Sequence, residues 1–152
     1  MGDLVAVAFD FDDKNHYRAF LILDFVLERK ITLLTLFLDD FCERLRDIRH
    51  ESASRTGARI CMMAVDHHLK TKNFLSDEHL RQIAEKSFDW LIDDSKVAVK
   101  AHAMRSLYGI GTLQEWIHPE LIEILQQHFA EQSPGYRAAA KQILRAVKKM
   151  HK

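Results

Sequence analysis

Nine histidines, His16, His50, His67, His68, His79, His102, His118, His128 and His151, are the residues of this sequence best suited to bind a metal or move a proton. A helical metal motif places two ligands at i and i+4 on one face, and no two of the nine are four apart. His67 and His68 are adjacent, so on a helix they diverge by about 100°. Cys61 and His68, two turns apart, come nearest to a ligand pair, and Cys61 fits equally as a small buried hydrophobe. Three acidic pairs, Asp12–Asp13, Asp39–Asp40 and Asp93–Asp94, bring carboxylates together, but neighbours on a helix point apart. The first and third flank expected helix starts, where a carboxylate caps free amides. Gly109-Ile110-Gly111 lacks both the lysine of a phosphate loop and the third glycine of a dinucleotide fingerprint, and reads as a helix stop. No G-x-S-x-G elbow is present, and neither Cys42 nor Cys61 has the setting of a nucleophile. The expectation is no catalytic residue, no resident metal and no cofactor.

The remaining chemistry is electrostatic. Lysines and arginines number 22, as do aspartates and glutamates, yet residues 134–152 hold six basic residues and no acid, which leaves a net −6 on residues 1–133. Arg137, Lys141, Arg145 and Lys149 recur at every fourth position and form a ridge that drifts by about 40° per step around a helix. These four are the candidate binding residues, able to meet phosphates or an acidic partner. Only Tyr136 accompanies them as an aromatic, and basic residues late in a helix are also favoured by its dipole.

The opening Val5-Ala6-Val7-Ala8-Phe9-Asp10-Phe11-Asp12 resembles the start of haloacid dehalogenases, in which an apolar strand delivers two aspartates. That family continues with small residues and needs a parallel sheet. Here Asp13-Lys14-Asn15 follows and the rest reads as helical, so the segment is expected to pack Leu4, Val7, Ala8 and Phe11 onto the next helix.

The elements that must position these groups are helices. Apolar residues recur at three and four, as in Leu80, Ile83, Ala84, Phe88, Leu91 and in Leu121, Ile124, Leu125, Phe129. Ser76, His118 and Ser133 stand before an acidic first turn or a proline, predicting helix starts near 77, 119 and 134. Breaks at 71–73, 93–95 and 109–112 leave only short connections, as between neighbouring antiparallel helices. A pattern then repeats with fixed offsets: Arg55, Ala58, Met62, Val65; Lys100, Ala103, Leu107, Ile110; Arg137, Ala140, Leu144, Val147; and more weakly His16, Ala19, Leu23, Val26. The copies start 39, 45 and 37 residues apart, close to the period of HEAT and armadillo repeats. A small residue lets the paired helix approach, and the apolar residues after it fill the layer. Ala58, Ala103 and Ala140 are therefore expected at helix contacts, with Met62, Leu107 and Leu144 inside.

With this pattern the sequence resembles HEAT-like α-solenoid proteins, and in particular a family of small bacterial helical proteins, some labelled adenylosuccinate lyase. The stretches Phe88–Ile92, Lys96–Ala101 and Trp116–Leu121 carry the likeness. It implies an αα superhelix. Lyases bearing that name are far longer and use a Ser-containing, Gly-rich loop that this sequence lacks.

The 152 residues, 47% hydrophobic and 29% charged, suffice for one well-packed domain over 1–152. Apolar runs such as Leu4–Phe9 fall far short of a membrane span, and two cysteines make no disulfide framework, so a cytoplasmic chain with reduced thiols is expected. The reading is an all-α, right-handed superhelix of about four HEAT-like units, 2–29, 30–72, 74–112 and 113–151. Its function is a non-enzymatic module that binds a protein partner the sequence does not identify. The alternatives are a nucleic-acid-binding protein using the basic C-terminal helix, or an enzyme with an unrecognised site.

Overall fold

The computed structural model describes residues 1–151, and these form eight α-helices with no strand among them. They are α1 (Gly2–Phe9), α2 (His16–Arg29), α3 (Leu38–Arg44), α4 (Glu51–Thr71), α5 (Asp77–Ile92), α6 (Val97–Gly111), α7 (Ile117–Gln126) and α8 (Pro134–Met150). The segment with the dehalogenase-like start is thus helical as far as Phe9: α1 buries Ala8 and Phe9 and rests Leu4 and Val7 against the core, and Phe11 packs there from the turn that follows.

Local signals set several boundaries. Ser76 accepts from the His79 amide while His79 Nδ1 accepts from the Ser76 amide, a reciprocal cap that starts α5 at 77. Ser133 accepts from the Tyr136 amide, and Pro134 occupies the first position of α8. α7, however, begins at Ile117 rather than 119, and His118 turns into the interior instead of capping. The structural reason is Gly111: a Cβ there would fall inside the His118 ring. α6 does end at Gly111, inside the expected break at 109–112. Neither Gly109 nor Gly111 has a positive φ, however, and what their missing side chains admit is Val65 at the first and His118 at the second.

The helices that carry the repeated pattern pack in succession, α2 on α4, α4 on α6 and α6 on α8, while α1 lies on α2 and α5 on α6. Ala19, Ala58, Ala103 and Ala140 are all buried, as is Leu107. Met62 and Leu144 are only half-buried, so the third position of the pattern reaches the interior fully in α2 and α6 alone. Residues 30–50 also depart from a simple hairpin. They break into a 3₁₀ turn (Ile31–Leu36), the short α3 and a second 3₁₀ turn (Leu45–Asp47), and α3 packs on α5. In the first turn the Thr35 hydroxyl donates to the Thr32 carbonyl at 2.7 Å, a local alternative to the helical ladder. The core at this end is aromatic: the Phe9 ring lies 5.9, 6.0 and 6.4 Å from those of Phe20, Phe37 and Phe41.

Candidate interaction surface on the last helix

α8 is strongly two-sided. Tyr136, Ala140 and Val147 are buried, and Ile143 and Leu144 lean on the core. Lys141, Arg145 and Lys149 stand exposed on the opposite side around a shallow floor of Ala138, Gln142 and Ala146. Among the described residues none of the three cations has an ion pair or a side-chain hydrogen bond. Arg137 does not share that setting. It is half-buried, and its Nη1 donates to the carbonyls of Gln132 at 2.7 Å and Ala130 at 3.3 Å. The free ridge is therefore three residues long.

The role of Arg137 recurs at the head of the repeated pattern. Lys100 Nζ donates to the carbonyls of Leu91 and Asp93 at 2.8 and 2.6 Å, and burial holds its pKa below the ordinary lysine value. His16 Nδ1 donates to the Asp13 carbonyl at 3.0 Å. In α4 the equivalent Arg55 is exposed, and Arg49 takes over the work by donating to the carbonyls of Arg46 and Ile48. A helix end leaves carbonyls without intrahelical partners. In three of the four copies the first residue of the pattern clamps the backbone just before it.

Several charges on the helices before α8 are spent on one another. Arg59 of α4 reaches Asp24 and Glu28 of α2 at 2.6 and 2.9 Å, and Arg105 of α6 meets Asp66 of α4 at 3.2 Å. Burial raises the Asp24 pKa despite the attraction of Arg59. His102, half-buried, is held below its ordinary pKa by burial and by Arg59, Arg55 and Arg105.

The buried amine and thiols are not set up as nucleophiles. Lys86, 7% exposed, donates to the Ile48 carbonyl at 3.1 Å and lies 5.2 Å from the centre of the Trp90 ring. Burial and then Arg49 lower its pKa, which is the direction a nucleophilic amine needs, yet the nitrogen is engaged. It borders a cavity of about 130 Å³ with Cys42, Arg81, Glu85 and Asp89. Burial pushes the Cys42 thiol up to about 12 and Cys61 well above its ordinary value, so both free thiols stay protonated and poorly nucleophilic.

The histidines are scattered, and among the described residues no three metal-ligating side chains gather. Several satisfy backbone instead. His68 Nδ1 accepts from the amides of Phe74 and Leu75 at 3.2 and 2.9 Å, which closes the turn after α4 and uses the lone pair that a site with Cys61 would need. His118 Nε2 donates to the Tyr108 carbonyl at 2.9 Å, and His50 Nδ1 accepts from the Ser52 amide. The acidic pairs act one step before the expected place: Asp13 and Asp93 accept from the amides of Asn15 and Ser95 in turns that precede α2 and α6, rather than from helix amides.

No known protein family, curated protein or solved structure matches this chain. No helix of the described residues is long and apolar enough to cross a membrane.

Proposed function

We propose that the chain is a helical-repeat scaffold of about four HEAT-like units in a right-handed superhelix, and that it binds an acidic protein partner without catalysing a reaction. What supports the repeat reading is the succession of α2, α4, α6 and α8 with a buried alanine at the same place in each. The observation that carries the binding reading is the ridge of Lys141, Arg145 and Lys149. It is exposed and unpaired among the described residues, while Asp24, Glu28 and Asp66 of the preceding helices are engaged by arginines. Cations left without carboxylates keep their full long-range attraction for an outside anion.

The test uses wild-type chain and the triple variant Lys141→Glu/Arg145→Glu/Lys149→Glu as baits, with nuclease-treated eluates and increasing salt. An acidic protein retained by the wild type at low salt, released by added salt and absent from the variant is the expected result. Equal capture by both baits sinks the reading. Tight duplex DNA binding with a log-affinity slope of about −2.7 against log salt, from about −0.9 per phosphate at three contacts, would replace it with nucleic-acid binding.

A further inference from the structure

The outer face of α2 is built in the opposite sense to that of α8. Leu21, Ile22 and Phe25 are 51%, 53% and 58% exposed and lie within one stripe, since residues three and four apart share a helix face. The other side of α2 buries Ala19, Phe20, Leu23 and Leu27, so the helix is apolar on two faces although it is not enclosed. Three large side chains clustered in solvent, where a stacked helix needs a polar outer face, mark an interaction site.

Charge says what covers it. Arg18 and Arg29 bracket the stripe along the same face. Neither has a carboxylate partner among the described residues: Arg18 Nε donates to the Tyr17 hydroxyl, and the Arg29 guanidinium lies 4.9 Å from the centre of the Phe25 ring. The acids of α2, Asp24 and Glu28, are turned to α4 and held by Arg59. A second copy that presents its own α2 or α8 is a poor occupant. Two α2 helices packed antiparallel set Arg18 against Arg29, packed parallel they set each arginine against itself, and α8 on α2 brings Lys141, Arg145 and Lys149 to the same two arginines.

We propose that the outer face of α2 docks an amphipathic helix of another protein, whose apolar stripe covers Leu21, Ile22 and Phe25 and whose carboxylates, about 16 Å apart along the helix, meet Arg18 and Arg29. This site is independent of the α8 ridge. Either can fail without the other, because their variants lie on different helices.

The experiment measures binding of the intact chain to three labelled synthetic peptides by fluorescence anisotropy. They share a leucine stripe at i, i+3, i+4 and i+7, which glutamates flank in the first and lysines in the second, and the third is a scramble of the first. The glutamate peptide is expected to bind at least about tenfold more tightly than the other two. Phe25→Glu should abolish this binding with the melt unchanged, because the side chain is mostly exposed. Arg18→Glu/Arg29→Glu should reverse the preference to the lysine peptide. Indifference to the flanking charge, no binding up to about 1 mM, or a concentration-dependent dimer of the chain that Phe25→Glu dissolves would each overturn the proposal.

Discussion

α2 and α8 carry the same repeated pattern and flank the same pair of inner helices, but they are finished differently. α2 anchors itself with Phe20, Leu23 and Leu27 among the rings of Phe9, Phe37 and Phe41, and shows Leu21, Ile22 and Phe25 to solvent. α8 anchors itself with Ala140, Val147 and Tyr136, leaves Ile143 and Leu144 half-covered, and shows lysines and arginine. The inner face of a stacked helix is dictated by its neighbour. The outer face answers to nothing inside the fold, so it is where the two helices were free to diverge. The heavier apolar anchor of α2 also makes that region the more costly one to disturb.

The largest expected effect tests this directly. Phe20→Ala removes a ring from the aromatic cluster and should cost about 3–5 kcal/mol, whereas Val147→Ala on α8 should cost about 1–2 kcal/mol. Chemical denaturation of both variants decides the matter, and equal losses would break the contrast between the two anchors.

A smaller effect sharpens the account of α8 itself. Arg137→Gln frees the carbonyls of Ala130 and Gln132 from a charged donor and should cost about 1–2 kcal/mol. The triple charge reversal of Lys141, Arg145 and Lys149 should cost less, at most about 1 kcal/mol, chiefly through the lost interaction of Lys149 with the C-terminal end of the helix. Loss of stability in the triple variant matching that of Arg137→Gln would mean that the ridge, too, is built into the fold.

The smallest effect lies between the two regions, at His68. Burial first, then Lys72 and His67, hold its pKa below the ordinary 6.5, with Asp77 opposing them. The unfolded chain therefore binds this proton more readily than the folded one. The associated stability is fully present above pH 6.5 and is lost as pH falls through the depressed value. Protonation at Nδ1 also breaks two backbone hydrogen bonds, so the loss should be on the order of 1 kcal/mol. His102 acts in the same direction. His68→Gln keeps an acceptor but cannot titrate, and its melts at pH 7 and pH 5 should differ by less than those of the wild type. An unchanged difference would show that His68 does not contribute to acid sensitivity.

Much of the local plan was legible in the chain. The starts at 77 and 134 followed from Ser76 and Ser133 with Pro134, and helical periodicity with a repeated alanine placed Ala58, Ala103 and Ala140 at buried contacts. These features depend on residues within a few positions of one another, which a sequence displays directly. The basic ridge was legible for the same reason, but its membership was not. Spacing alone makes Arg137 equivalent to Lys141, and only the folded turn that leads into α8 supplies the carbonyls that claim it.

The remaining decisions belong to tertiary structure because they depend on how turns and neighbouring helices fold back on one another, not on spacing along one helix. Gly111 ends α6 as its position suggests, but the reason a glycine stands there is the His118 ring that occupies the space of a side chain. His68 looks like a ligand until the turn at 74–75 spends its lone pair. Likewise Leu21, Ile22 and Phe25 look like core until the opposite face of α2 takes the interior place and leaves them outside. Local sequence fixes where helices form and which residues are apolar. When a helix has two apolar faces, the choice between them is made by the packing energy of whole neighbouring helices, a quantity that no short window of sequence contains.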